Sequence, residues 1–133
     1  MADAYGYDQV SQPLLSGVAA VAHSATYTPS TAPSPIPADV AYAGKCRVKV
    51  QFTGSAGGTG DVTFNFAAIG HAGETYPTLP SFSVVAAQNG AAAVGKDAIV
   101  DCSGYIAIKL LSVQNADAAA DISQVMATVD YKI

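Results

Sequence analysis

The chain has 133 residues, the usual size of one domain and too few for two well-formed cores. Half of the residues are hydrophobic, but only 12% are Asp, Glu, Lys or Arg, about half the usual share. The formal net charge of −4 argues against binding to nucleic acid or to anionic membranes. A surface with so few charges is typical of a protein that lies against other proteins.

The sequence shows no targeting segment. Its first five residues lack the basic start and the apolar run of a secretory leader, and the weakly polar stretch 14–22 is too short to span a bilayer. We therefore expect a soluble protein made in a cytoplasm. Its two cysteines, Cys46 and Cys102, are then expected to stay reduced and to serve as small buried hydrophobic residues.

Residues 1–14 mix Asp, Gln, Gly and Ser and show no hydrophobic period, so the sequence predicts an extended N-terminal arm followed by one sandwich domain over 15–133. Tyr5 and Tyr7 lie in this arm. Because tyrosine is large, rigid and amphipathic, both are candidate anchors in a groove of a partner. The alternative is that they fold back on their own sheet. A first strand is predicted over 18–27.

Segment 29–37 holds four prolines, which forbid a helix and indicate a crossing loop or a spacer. The pattern then sharpens, because apolar and polar residues alternate strictly over 45–52 and again over 61–67. A glycine-rich stretch, 54–60, separates the two runs. Together they predict a β-hairpin.

Lys45, Arg47 and Lys49 hold three of the six positive charges and share one face of one predicted strand. We call these three residues the basic stripe. It is a candidate contact for an acidic surface on a partner. The alternatives are a solvated face or an edge strand that lysine protects from aggregation. Nucleic acid is not an expected partner, because the stripe is short and has no interleaved aromatic residues.

A second hairpin is predicted after the Gly- and Pro-containing loop 70–80. Its strands cover 81–87 and 91–102, and Asn89 and Gly90 join them, which is the strongest short-range hairpin signal. The next strand carries an apolar face, and a last strand over 125–132 places Val125, Ala127, Val129 and Tyr131 inward. Seven or eight strands without a helix predict an all-β fold, an antiparallel two-sheet sandwich of jelly-roll or immunoglobulin-like topology.

The ingredients for catalysis are scarce. His71 and Glu74 offer two metal ligands in a loop, but a site needs three or four. Asp117 and Asp121 flank an alanine run that lacks the ligand density of a calcium loop. No serine lies in a G-x-S-x-G elbow, and neither cysteine has an activating neighbour in sequence. We therefore predict that the chain is not an enzyme, with no catalytic residue, no cofactor and no metal site.

Three features of the sequence point to a known class of protein: the expected arm, the low-charge strands rich in Ala, Gly and Thr, and two late sequence blocks. These blocks are residues 105–115 (YIAIKLLSVQN) and 122–131 (ISQVMATVDY). With these features the chain resembles the small β-sandwich proteins of tailed-phage virions, nearest to the capsid decoration, or cement, proteins. The resemblance implies a virion protein that is assembled in the host cytoplasm and lies on the capsid surface. Its partners would be the major capsid protein and further copies of itself, with a trimer favoured.

Two other classes of function fit the same sequence. The chain could serve as another virion part, in the tail, the connector or a fibre. It could also be a carbohydrate-binding or adhesin-like sandwich module, in which Tyr76 and Tyr105 would stack on sugar rings, although the chain has no Trp.

Overall fold

The computed structural model describes residues 9–18, 20–29, 34–35 and 44–132. These residues form nine β-strands and no helix, and hence no helix long and apolar enough to cross a membrane. The strands are β1 (Gln9–Val18), β2 (Ala25–Tyr27), β3 (Ser34–Pro35), β4 (Lys45–Thr53), β5 (Asp61–Ile69), β6 (Phe82–Ala87), β7 (Ala93–Asp101), β8 (Ala107–Asn115) and β9 (Ser123–Lys132).

The strands build two antiparallel sheets, which confirms the predicted all-β sandwich. The first sheet has the order β1-β9-β4-β7, and the second has the order β2-β8-β5-β6. The short strand β3 also pairs with β8, near Ala107, whereas β2 pairs with β8 near Asn115. β2 and β3 therefore occupy one strand position at the edge of the second sheet.

The strands pair as they would in one long hairpin that is rolled up into two sheets. With β2 and β3 counted as one interrupted strand, the first position pairs with the eighth, the second with the seventh, the third with the sixth and the fourth with the fifth. The roll closes through β4–β9 and β5–β8. This is the jelly-roll topology, so it is the jelly-roll, and not the immunoglobulin-like alternative, that the chain adopts.

The core lies between the sheets and follows from the alternation in the sequence. Every second residue of β4 is buried, and Phe52 at its end stacks on Phe64 of the opposite sheet with ring centroids 6.4 Å apart. On β9 the inward residues Val125, Ala127 and Val129 are buried as predicted. Each buried side chain of Val or Phe size contributes about 1.5–3 kcal/mol, so these alternating faces supply much of the driving force.

Both predicted hairpins are wrong. The strands on either side of residues 54–60, β4 and β5, lie in different sheets, and so do β6 and β7 on either side of Asn89 and Gly90. A period of two determines which side chains face inward, but two such strands can bury them either side by side or face to face. In this chain they meet face to face, and both loops cross from one sheet to the other.

The N-terminal boundary also differs from the prediction, since residues 9–14 belong to β1 and residues 9–13 pair with β9. Leu14 and Leu15 are consecutive and both buried, because a register shift between Pro13 and Leu15 makes Leu14 an extra residue in the strand. This bulge interrupts the alternation on which the prediction depended. The strand predicted over 18–27 is in fact the end of β1 followed by β2.

Candidate protein-binding faces

The basic stripe lies on the outer face of the first sheet. Lys45, Arg47 and Lys49 are exposed, and the residues between them point into the core. β4 lies between β9 and β7, so it is a central strand. The interpretation of these three residues as protection for a sheet edge is therefore wrong, and they form part of an exposed face.

Acidic side chains of the neighbouring strands balance the stripe. The Arg47 guanidinium lies 3.9 Å from the Asp97 carboxylate on β7, and Lys49 Nζ lies 3.7 Å from Asp130 Oδ2 on β9. Asp130 is only 6% exposed, although it belongs to the outer face. Each of these lysine or arginine charges thus has a partner within its own sheet.

The third cation follows the same pattern. Lys45 is opposite Asp101 in the register of β4 and β7. The pKa of Asp101 lies below its usual range, mainly because the Ser103 N–H donates to it at 3.0 Å and the Ser103 hydroxyl adds to this, with a smaller effect of Lys45. The outer face of the first sheet therefore alternates three basic with three acidic residues.

The edge strand β7 carries a further cation, Lys96, which does not belong to the outer face. Lys96 occupies a position that faces inward, opposite Val50 of β4. Its Nζ donates a hydrogen bond to the Val85 carbonyl oxygen of β6, 2.7 Å away. The lysine therefore ties the edge of the first sheet to that of the second.

The outer face of the second sheet has a different chemistry. Its outward side chains over four strands are small and uncharged, and the charged residues Asp61 and Lys109 lie only at its two ends. We call this surface the uncharged face. Its residues are Thr26, Thr63, Asn65, Ser83, Val85, Ala87, Ser112 and Gln114.

A ladder of hydrogen bonds crosses the middle of the uncharged face. The Ser83 hydroxyl donates to Asn65 Oδ1 at 2.7 Å, and Asn65 Nδ2 donates to Ser112 Oγ at 3.0 Å. The three residues come from β6, β5 and β8, so the ladder spans three strands. The Asn65 amide has both of its functional groups bonded within the face.

The two tyrosines considered for sugar stacking are both engaged within the molecule. Lys109 Nζ lies 5.6 Å from the centre of the Tyr76 ring, and burial raises the pKa of Tyr76 above its usual value. Tyr105 packs partly buried against the core. Neither ring is fully exposed, because Lys109 lies over that of Tyr76 and the core partly covers that of Tyr105.

The acidic loop residues tie loops together. The Asp117 carboxylate accepts four backbone N–H bonds, from Thr59, Gly60, Ala119 and Ala120. These donors hold the pKa of Asp117 well below its usual range, those of Ala119 and Ala120 having the largest effect. Gly60 comes so close that a Cβ there would lie 2.6 Å from Asp117 Cα, which explains a glycine at this point of the turn.

The other residues considered for metal binding have similar local roles. Asp121 accepts hydrogen bonds from the His23 N–H and Nδ1, both at 2.8 Å, and its pKa is lowered mainly by the first of these. Glu74 accepts the Gly70 N–H at 2.7 Å and lies 4.0 Å from His71. Within the part of the chain that the structure describes, no group of three or more His, Cys, Asp or Glu side chains could hold a metal ion.

The two cysteines are free, buried and in contact with each other. Burial, and to a smaller degree the neighbouring Cys102, raises the pKa of Cys46 to about 12. Burial also raises the pKa of Cys102. Both thiols are therefore protonated at neutral pH, which is the inert form of cysteine and not that of a nucleophile.

The structure places the three residues of the basic stripe together on one face. The other two residues predicted to bind a partner, Tyr5 and Tyr7, lie outside the described residues. The uncharged face was missed in the sequence. Its signal is present there, since Thr63 and Asn65 alternate with inward apolar residues in the same way as the stripe does. Their lack of charge gave no reason to single them out.

No protein-family model matches this chain, and no curated protein matches it. Among solved structures the chain is similar to one from Bacillus endospore appendages, which form a family of disulfide-linked pili. The two are 15% identical, the alignment covers 94% of this chain and 85% of the other, and the TM-score is 0.38. A similarity of this size carries no argument about function.

Proposed function

We propose that this protein is a structural virion component that binds the surface of a phage capsid and stabilises it, with the major capsid protein as its partner. The observation that carries the proposal is the separation of charge between the two sheets. The outer face of the first sheet alternates acidic and basic residues, whereas that of the second sheet is uncharged between Asp61 and Lys109. The uncharged face is the one suited to lie against another protein.

The free energy of desolvation supports this choice of face. Burying a charged group costs several kcal/mol unless it is well paired, so covering six charged side chains on the first sheet would be expensive. A buried polar group that keeps its hydrogen bonds costs far less. Asn65 keeps both of its hydrogen bonds inside the face, to Ser83 and Ser112, when a partner covers it.

The size of the face suggests how it would hold a capsid. Four strands about 4.8 Å apart, over about five residues each, make a surface of about 300 Å². A standard interface buries about 800 Å² on each partner, so a single face of this size binds weakly. A capsid repeats its surface many times, and an oligomer that engages several sites at once gains strength through effective concentration. Because only the assembled shell is bound, binding also stabilises the shell.

The test is co-sedimentation of the purified protein with capsids that lack it, using two matched variants. Thr63→Arg places a charge in the middle of the uncharged face, and Thr53→Arg places the same charge on the outer face of the first sheet. Both threonines are half-buried on outward positions of central strands. We expect wild type and Thr53→Arg to pellet with the capsids at micromolar concentration, and Thr63→Arg to stay in the supernatant although its thermal unfolding is unchanged.

Other outcomes contradict separate parts of the proposal. If Thr63→Arg pellets like the wild type, the uncharged face is not the contact. If Arg47→Glu weakens binding in a salt-sensitive way while Thr63→Arg does not, the basic stripe is the contact. If the wild-type protein stays in the supernatant and is found in the tail of the virion, the capsid role is wrong.

A further inference from the structure

The edge strand β7 is unusually open. Within the described residues it pairs with β4 and with no other strand, its nine residues run without a register shift, and none of them is buried. The opposite edge of the same sheet, β1, contains Pro13 and two register shifts, which make it a poor template for a further strand. β7 has neither defect, so it is the edge able to accept one.

The outward side chains of β7 have complementary shapes. Ile99 is 64% exposed, more than Val85 and Met126, the other exposed large apolar side chains on the described strands. Four residues before it, Gly95 leaves a depression in the sheet that Gln51 and Met126 help to line. A Cβ on Gly95 would meet nothing closer than the Val50 carbonyl oxygen at 3.9 Å, so the depression is open. The projection and the depression lie two residues on either side of Asp97.

We propose that β7 pairs antiparallel with β7 of a second copy about a two-fold axis at Asp97, so that Ile99 of each chain fills the depression over Gly95 of the other. In an antiparallel pair centred on residue 97, residue 99 of one strand is directly opposite residue 95 of its partner, with Cβ positions about 5 Å apart. In a two-fold contact the same surface of each chain must supply both complementary parts. β7 supplies both, the Ile99 side chain and the depression over Gly95.

Neither charge near the axis prevents this pairing. The two Asp97 carboxylates would face each other, but each has the Arg47 guanidinium of its own chain 3.9 Å away, so two ion pairs meet and not two bare anions. Lys96 is held on the Val85 carbonyl of β6, which leaves the free edge of β7 clear of its side chain. The half-buried Val94, Ala98 and Val100 on the inward side would gain cover from the added strand.

Sedimentation velocity over a range of micromolar concentrations tests the dimer and its register together. Gly95→Val fills the depression, and the space around Gly95 lets the single chain fold normally. We expect it to raise the dimer Kd by about 10- to 100-fold, the effect of overfilling a packed contact. When Gly95→Val is combined with Ile99→Ala, the large side chain is at position 95 and the small one is at the opposite position 99 of the partner. We therefore expect the Kd to return to within about tenfold of the wild type.

Ala87→Val on β6 is the matched control, since it places the same valine side chain at an exposed position on the edge strand of the other sheet. It should leave the Kd unchanged, and thermal unfolding should confirm that all variants are folded. A wild-type protein that is monomeric or trimeric throughout would overturn the proposal. So would a Gly95→Val variant that dimerises normally, or a double variant that fails to recover, because each contradicts the register at Asp97.

Discussion

Asp117 joins several loops at one end of the sandwich through its hydrogen bonds. Its carboxylate accepts N–H groups from the loop before β5 and from its own loop, and its carbonyl oxygen accepts the Ser24 N–H at 2.9 Å. Next to it, the buried Asn115 amide donates to the carbonyl oxygens of Val21 and Ala120. Three loops from different parts of the chain thus meet on two neighbouring side chains.

The lowered pKa of Asp117 predicts how acid affects stability. A carboxylate whose pKa is lower in the folded than in the unfolded chain stabilises the fold fully above the unfolded value, here 3.8, and loses that contribution as the pH falls toward the folded value. Asp117→Asn should therefore lower the melting temperature at pH 7, and the gap to the wild type should narrow below about pH 4. Thermal scans at several pH values check this. Asp97→Asn, in an exposed ion pair, should change little; a constant gap for Asp117→Asn would contradict the argument.

For single residues of the candidate faces, the alternation in the sequence predicts which side of a strand each residue faces, but not its partners on other strands. It placed Lys45, Arg47 and Lys49 correctly on one exposed side of a strand. It could not supply their partners Asp97 and Asp130, because these come from β7 and β9 and depend on the register between strands that are distant in sequence. The same register makes the ladder from Ser83 through Asn65 to Ser112, which no local pattern contains.

At the scale of elements, β1 offers a direct test of where the sandwich begins. Leu14 is 1% exposed and lies in the segment that the sequence predicts as an arm. Leu14→Ala should lower the free energy of unfolding by about 2–5 kcal/mol, the range for emptying a buried leucine site. Leu79→Ala is the control, since Leu79 is 77% exposed and its loss should change stability by less than about 0.5 kcal/mol. Denaturant titration measures both, and equal small effects would mean that β1 adds little to the core.

The strands themselves were largely predictable, whereas their arrangement was not. The sequence predicts β4, β5, β6 and β9 through the alternation of polar and apolar residues, and the loops after β4, β5 and β6 contain glycine. Whether two consecutive strands pair or cross to the opposite sheet depends on long-range contacts, such as that between Phe52 and Phe64, for which the turn sequence holds no signal. Bulges at Leu14 and near Leu111 are a second reason why the sequence does not predict the arrangement. Each bulge reverses which residues point inward and which point outward in the rest of its strand.

For the whole molecule, the proposed dimer and the proposed function fit one geometry. An antiparallel pair centred on one residue has its two-fold axis perpendicular to the sheet, so the outer faces of equivalent sheets point the same way. The two uncharged faces then lie on one side of the dimer, and the two charged faces lie on the other. Two faces of about 300 Å² each come close to the area of about 800 Å² that a standard interface buries on one partner. A single face is too small for this.

This geometry predicts that the β7 contact strengthens attachment to a capsid without touching it. Gly95→Val should leave the uncharged face intact and yet weaken co-sedimentation, because a monomer loses the effective concentration of its second face, which is typically worth 10²–10⁴-fold, so a loss of about 10²-fold or more is expected. Adding Ile99→Ala to it should restore both the dimer and the attachment. The prediction depends on both proposals, and the two can be separated. A Gly95→Val monomer that binds as tightly as the wild type contradicts two-face attachment and leaves the dimer standing. A wild-type dimer that does not bind at all contradicts the capsid function alone.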